Sequence, residues 1–430
     1  MHCERAAFTF GLTGMLVSAA QVAAQPIFES PPLLPGGSWS SCTGISADGA
    51  VVAGTCDTSS GRRGFVWTRG GGTSSLGVLT GGWVCYGAGV SSDGAVIAAT
   101  SGSAAGDRAC RWTSGGGLVS LGTLAGKSQS NAYDASAEGG VVVGGSWSLG
   151  TQEDIRAIRW TGVGAAESLG TLVGGGSSCA FAVSADGAAV TGFSGSSEGT
   201  RAFQWIQAGG MESLGVLPNA AFSCGTGISA AGDVVVGYSG SVGEEVRVNA
   251  FRWEAGVMRE LGVSSGYPFS YALATDATGT VVAGAADDDP CGSSEHASVW
   301  IDWLGMIDLN AYLPTTGVDL TGWTLRRVTA MSGDGTALVG NGEYQGVPRG
   351  WIVTGLTFTQ PPACPWRADG CFADYDVSES IDSDDVIAFF ADWDRGLACA
   401  DVDNSGGVDS DDVILFFAVW DAGGVGFPGC

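Results

Sequence analysis

Short apolar runs separated by glycine-rich turns set the rhythm of this chain. Gly44-Ile-Ser-Ala-Asp-Gly-Ala-Val-Val-Ala-Gly54 returns as Gly89-Val-Ser-Ser-Asp-Gly-Ala-Val-Ile-Ala-Ala99, and shorter copies stand at Ser184-Ala-Asp-Gly187 and Ser332-Gly-Asp-Gly335, with weaker ones around Gly139, Gly232 and Gly279. A tryptophan follows at Trp67, Trp112, Trp160, Trp205, Trp253 and Trp300, spaced by 45, 48, 45, 48 and 47 residues. Four residues before each stands a polar side chain: Arg63, Arg108, Arg156, Arg201, Asn249 and His296. A leucine follows eight or nine residues later, at Leu76, Leu121, Leu169, Leu214, Leu261 and Leu309.

Each repeat reads as four short strands. One ends at the Ser-x-Asp-Gly turn, one is of the Val-Val-Ala-Gly type, one carries Arg-x-x-x-Trp and one carries Leu-Gly-x-Leu. Asp-Gly and Gly-Gly pairs supply the positive φ that tight hairpins need. Four strands in ~40–50 residues is the size of a propeller blade, so the pattern predicts an all-β, seven-bladed β-propeller over residues 26–357. A right-handed β-solenoid is the competing architecture. The seventh copy, at Arg349-Gly350-Trp351, has Val353 in the tryptophan position and lacks a Leu-Gly strand. The missing piece lies at the other end of the chain. Ser30-Pro-Pro-Leu-Leu-Pro-Gly-Gly37 stands 45 residues before Ser75-Leu-Gly-Val-Leu-Thr-Gly-Gly82, so an N-terminal strand is expected to complete the last blade and hide its edge.

Composition narrows the class. The chain has 430 residues, 73 of them glycine, and only 18 lysines and arginines against a net charge of −26. Its 45% hydrophobic content argues against disorder. So few basic groups leave little counterion release to gain from phosphates, which disfavours nucleic acid as a partner. The apolar run Ala6 to Ala20, ending in Val22-Ala23-Ala24, reads as a signal peptide over residues 1–24, and no other segment is suited to cross a bilayer. Secretion, to the extracellular space or cell surface, is therefore expected. The twelve cysteines fit an oxidising compartment in which disulfides can staple loops, and losing Cys3 leaves an odd eleven.

After a linker at 358–363 the composition changes. From Cys364 to Cys430 there are 15 acidic residues and two arginines, a charge of −13. Carboxylates at this density repel unless a cation sits among them, and calcium takes six to eight oxygens. Asp374, Asp376, Ser378, Asp382 and Asp385 fill positions 1, 3, 5, 9 and 12 of a twelve-residue loop, and Asp401, Asp403, Ser405, Asp409 and Asp412 repeat this 27 residues later. Ser380 and Gly407, at position 7, would contribute main-chain carbonyls. Two calcium ions are thus expected. Each loop runs into one helical pattern, with Val386, Ile387, Phe389, Phe390 and Trp393 matched by Val413, Ile414, Phe416, Phe417 and Trp420, so the two helices can bury their aromatics against each other.

Two resemblances follow from these residues. The repeats resemble the extracellular repeat family named for its His-Ala-Phe tripeptide, degenerate here as Arg201-Ala-Phe203, Asn249-Ala-Phe251 and His296-Ala-Ser298. That likeness implies an exported repeat protein and no particular chemistry. The duplicated loop-helix tail, with its repeated Asp-Ser-Asp-Asp-Val-Ile and terminal Gly429-Cys430, resembles a dockerin of the GC type found in planctomycete-like bacteria. The resemblance implies that residues 364–430 bind calcium and that Ser383, Asp384, Ser410 and Asp411 face a partner, in dockerins a cohesin. The first loop departs from the pattern at Glu379, where a glycine is usual, which points to a weaker first site, and both loops end in Asp rather than the longer Glu, which reduces bidentate reach in each.

Catalytic chemistry has little to stand on. With the leader removed, His296 is the sole histidine, which excludes multi-histidine zinc sites, and its bland role is that of a blade hydrogen-bonding residue. Gly70-Gly71-Gly72 and Gly115-Gly116-Gly117 lack the Lys-Ser/Thr of a phosphate loop. Asp287, Asp288 and Asp289 read as an exposed blade insertion, and the repeated tryptophans as blade core. No catalytic residue is assigned. The sequence reading is a non-catalytic binding or assembly protein, tethered through the tail to a cohesin-like protein or cell-surface anchor, with a polysaccharide as a further candidate ligand. A docked carbohydrate-active enzyme, glycosidase or lyase, is the alternative, and a purely architectural envelope component a third.

Overall fold

A computed structural model describes residues 25–358 except 163–165, 242–246, 264–265, 290–293 and 302–304, and, in the C-terminal region, Val386, Phe389, Phe390 and 413–417. The repeats form seven separate four-stranded antiparallel sheets, the blades of a β-propeller. In blade 1 the strands are Ser40–Ile45, Val51–Cys56, Arg63–Thr68 and Gly72–Ser75, from the central channel outward. Blade 7 takes Trp323–Met331, Leu338–Tyr344 and Val347–Thr354 from the end of the ring and Ile27–Glu29 from its start, the latter paired with Thr354, Val353 and Ile352. Closure by the N-terminal strand abolishes the exposed edge that a solenoid would keep at its ends.

Two details differ from the sequence reading. The closing strand is Ile27–Glu29, and the segment Ser30–Gly37 is instead the link to blade 1, with Leu34 buried and Gly37 N–H donating to Leu34 O at 2.9 Å. Its alignment with Ser75–Gly82 nevertheless holds, since Gly82 N–H donates to Leu79 O in the same turn. The Leu-Gly pair ends the outer strand rather than running through it. Gly77, Gly170, Gly215 and Gly262 take φ of 83°, 80°, 79° and 76°, which swings the chain toward the next blade and which a side chain would resist.

The core lies between blades. Val52, Phe65 and Trp67 of blade 1 pack on Ala337, Val339 and Ile352 of blade 7, and Val190, Phe203 and Trp205 of blade 4 pack on Val143 and Ala157 of blade 3. One face of each blade is therefore bulky and the other small. This explains the repeated tripeptide physically. Its third position fills the interface behind, and truncating a ring such as Phe203 there should cost about 3–5 kcal/mol. Its middle position must be small because the next blade's inner strand lies against it: a methyl on Gly64 would stand 3.1 Å from Cys85 Sγ. Its first position reaches across the seam, described below.

Buried serines replace disulfides as the internal ties. Ser101, Ser146, Ser194 and Ser239 accept from the main-chain N–H of Leu79, Leu124, Leu172 and Leu217 at 3.0–3.2 Å, holding each inter-blade link to its sheet. Among the described residues, Cys42, Cys56, Cys85, Cys110, Cys179 and Cys224 are all buried free thiols, so stapling by these six, expected from an oxidising compartment, does not occur. They serve as small apolar core residues. The remaining six cysteines lie outside the described residues.

In the tail, Phe389 and Phe416 are fully buried and stack at 4.2 Å with 7° between their planes, so the two repeated aromatic stripes do meet. Ile414 departs from the expected stripe, being 67% exposed.

Candidate functional site

The channel is shaped by a β-bulge in the innermost strand of every blade. The register of each inner strand slips by one residue against its neighbour, between Cys42 and Gly44 in blade 1, for example, and between Ala132 and Asp134 in blade 3, with a second slip in blade 7 between Leu325 and Arg327 besides that between Val328 and Ala330. A bulge re-aims the extra residue, and here that residue points into the channel. At three positions it is threonine: Thr43, Thr226 and Thr329 donate their hydroxyls to Gly87 O, Ala272 O and Cys42 O of the following blade at 3.0, 2.7 and 2.9 Å. In blades 3 and 4 it is aromatic, and Tyr133 meets Phe181 edge to face at 5.2 Å. Asp134, next to that bulge, takes over the threonine's task by accepting from Val183 N–H at 3.0 Å. Burial outweighs its two N–H donors and pushes the Asp134 carboxyl up to about 7.

The two ends of the channel differ. At one, the Ser-x-Asp-Gly turns approach so closely that main-chain bonds run from blade to blade: Ala137 to Ala185, Ala185 to Ala230, Ala230 to Ala277, Ala277 to Gly333, Gly333 to Ala47 and Ala47 to Ser92, all at 2.9–3.0 Å. In the four turns that keep Ser-x-Asp-Gly the serine hydroxyl donates to the aspartate, as from Ser46 to Asp48 at 2.6 Å, and these hydroxyls with main-chain N–H groups hold Asp48, Asp93 and Asp186 below the usual carboxylate range. Among the described residues, this end is a collar of small residues, linked by main-chain bonds at every seam except that between Ser92 of blade 2 and Ala137 of blade 3.

The other end opens into a cavity of about 680 Å³. Tyr86, Tyr133, Phe181 and Tyr238 supply ring surface, and Asn131, Asn341, Asp107 and Arg327 supply polar groups. Tyr238 lies edge-on to Tyr271 at 5.4 Å, which carries the aromatic arc further round. Arg327 is held by Glu295 through Nε at 2.7 Å and through Nη2, so its charge is neutralised by a fork of two bonds. At the rim Arg62 lies over the rings of Trp39 and Tyr86, 5.4 and 5.9 Å from their centroids. Trp83, 72% exposed, stands beside them in sequence.

Where the position four residues before the tryptophan is arginine, it fastens the seam. Arg63, Arg108 and Arg201 donate Nη1 to Trp83 O, Ser128 O and Ala221 O at 2.7, 2.7 and 2.9 Å, each on the approach to the next blade. Arg349 does the same to Ser38 O across the closure of the ring. Asn249 and His296 depart from this role and bond to acidic groups of their own blades, Asn249 to Glu260 and His296 through Nδ1 to Asp308 Oδ2 at 2.9 Å, with Tyr267 Oη 3.2 Å away. The acidic run at 287 is not wholly an exposed insertion. Asp287 ends an inner strand pair, is fully buried and has no partner for Oδ2 among the described residues; strand alternation puts it on the face that Val281 and Ala283 turn toward blade 7.

The calcium-loop positions Asp374, Asp376, Ser378, Ser380, Asp382 and Asp385, their counterparts Asp401, Asp403, Ser405, Gly407, Asp409 and Asp412, and the partner-facing Ser383, Asp384, Ser410 and Asp411 lie outside the described residues. Among the described residues no group of three or more His, Cys, Asp or Glu side chains is arranged to hold a metal, and no helix is long and apolar enough to cross a membrane. The aromatic mouth is a site that sequence reasoning missed. Its signal, a residue inserted at the same place in each inner strand, is invisible without the register.

No family model matches the chain, and no curated protein matches it by sequence. Solved propellers are similar in fold. An oligogalacturonate lyase from Vibrio parahaemolyticus aligns over 77% of this chain and 97% of its own, with 11% identity and a TM-score of 0.49. The β-propeller domain of the Trilobed protease from Pyrococcus furiosus aligns over 75% and 97%, with 9% identity and a TM-score of 0.47. TolB from Acinetobacter baumannii aligns over 72% and 65%, with 12% identity and a TM-score of 0.41. The pairing of strands itself makes the chain a seven-bladed β-propeller.

Proposed function

We propose that this is a secreted, non-catalytic binding and assembly protein, in which a rigid closed propeller presents its channel mouth to a ligand and a dockerin-like tail, loaded with two calcium ions, tethers it to a cohesin-like protein or surface anchor. The observation that carries the assembly role is the duplicated aspartate loop running into two aromatic stripes, together with the stacking of Phe389 on Phe416. Charge repulsion among 15 carboxylates opposes that packing until cations enter, so folding of the tail and calcium binding are one equilibrium.

The binding role finds support in the channel's chemistry. Asp107 stands at the open mouth, whereas Asp134 and Asp276 stand toward the collar. Asp276 spends its oxygens on the N–H groups of Thr280 and Val281 and the hydroxyls of Thr278 and Thr280. This is a poor layout for a pair of carboxylates flanking one glycosidic bond.

Thermal melting of the full chain in calcium and in chelator tests the tail. A ligand at a hundred times its dissociation constant stabilises by about 2.7 kcal/mol, so a tail transition should rise in calcium. Asp401→Ala with Asp412→Ala should remove more of that rise than Asp374→Ala with Asp385→Ala. Superimposable melts in calcium and chelator would refute the reading.

A further inference from the structure

The open mouth of the channel has the chemistry of a saccharide site, and we propose that it binds a neutral glycan chain. This deepens the binding reading above and rests on it. A pyranose ring offers an apolar C–H face and a rim of hydroxyls, so its receptor needs aromatic surface beside uncharged donors and acceptors rather than a strong charge. The mouth supplies both. Tyr86 and Tyr133 come from the inner strands of adjacent blades, and Tyr238 from across the channel, around a cavity of about 680 Å³. That is within the range of small-molecule pockets, and large enough for a few sugar rings.

Its amides keep hydrogen-bonding capacity. Asn341 accepts from Cys42 N–H through Oδ1 at 2.9 Å, and its Nδ2 has no other partner among the described residues. Asn131 donates only a long bond, 3.4 Å, to Tyr133 Oη, and its Oδ1 likewise has none among the described residues. The charges lining the cavity are Asp107 and Arg327, the latter already closed off by Glu295, and Arg62 at the rim is engaged by the rings of Trp39 and Tyr86. Against a chain of net charge −26, a polyanionic ligand would meet repulsion that a neutral one does not.

Titration calorimetry of the full chain with cellohexaose, laminarihexaose and mannohexaose, alongside an oligogalacturonate, tests this. At least one neutral hexamer should bind. Tyr86→Ala and Asn131→Ala should each weaken it about tenfold, the scale of ~1.4 kcal/mol, whereas Ile206→Ala, at the far end of a blade 4 strand, should not. Tyr86 is 38% exposed, so its loss should leave the fold intact. Binding by no neutral hexamer, binding of the anionic chain alone, or affinity unmoved by both mouth substitutions would overturn the proposal. Repeating the titration in chelator keeps the two readings apart, because the mouth should bind glycan whether or not the tail responds to calcium.

Discussion

Replacing Asp134 with asparagine should remove a large pH-dependent term from the stability of the ring. Burial raises the carboxyl from an ordinary 3.8 to about 7, against the opposing pull of N–H donors from Val183 and Ala135. A carboxyl raised in the folded state keeps a proton that the unfolded chain has released, so stability is greatest below the unfolded value and falls as pH rises through the folded one. The difference of roughly three units, at ~1.36 kcal/mol each, gives about 4 kcal/mol as an upper bound. Asp134 lines an open channel, and water there screens part of the charge, so we expect about 2–4 kcal/mol to be lost between about pH 4 and pH 8. Asparagine preserves an acceptor for Val183 N–H across the seam but loses the bond from Ala135 N–H, a fixed cost of about 1 kcal/mol. Urea unfolding of both proteins at several pH values isolates the term, because the exposed turn aspartates, whose lowered values push the other way, are common to both. The variant should be less stable at low pH and more stable at high pH. A difference in stability that stays flat across the range would refute the assignment of a buried, raised carboxyl to Asp134.

Other consequences of the fold are directly measurable. Burial pushes the thiols of Cys85 and Cys110 up to about 11 and about 12, and raises Cys42, so the six described cysteines should ignore a thiol reagent in the folded ring and react together on unfolding; rapid labelling of any of them in the native state would contradict the packing. Arg201→Ala removes the bonds to Thr200 O and Ala221 O and should cost about 1–2 kcal/mol in urea unfolding, since the nearly buried guanidinium loses two charge-assisted bonds and its packing while water can reach the exposed Thr200 and Ala221. A loss within a few tenths of a kcal/mol would mean that the seam is held by apolar packing alone.

Much of this protein could be read from its sequence. The spacing of the six tryptophans Trp67 through Trp300, with the seventh copy at Arg349-Gly350-Trp351, specified seven blades of four strands, because each blade must repeat both its turn chemistry and its bulky face to bury anything. The offset between Leu34 and Leu79 foretold how the ring closes, although the paired strand lay just upstream. The calcium expectation rests on ligand spacing along the acidic loops, a local property of the sequence, and its residues lie outside the described part of the chain. What only the tertiary structure decided is non-local. An extra residue in each inner strand is one letter in a row of letters until the register against Val51–Cys56 and its counterparts reveals it as a bulge. The same holds for the thiols, whose pairing depends on distances between strands, and for Asp287, whose burial depends on which face meets blade 7. Tyr86, Tyr133 and Tyr238 stand far apart in sequence and share a cavity only because a closed ring of seven sheets brings their strands around one axis.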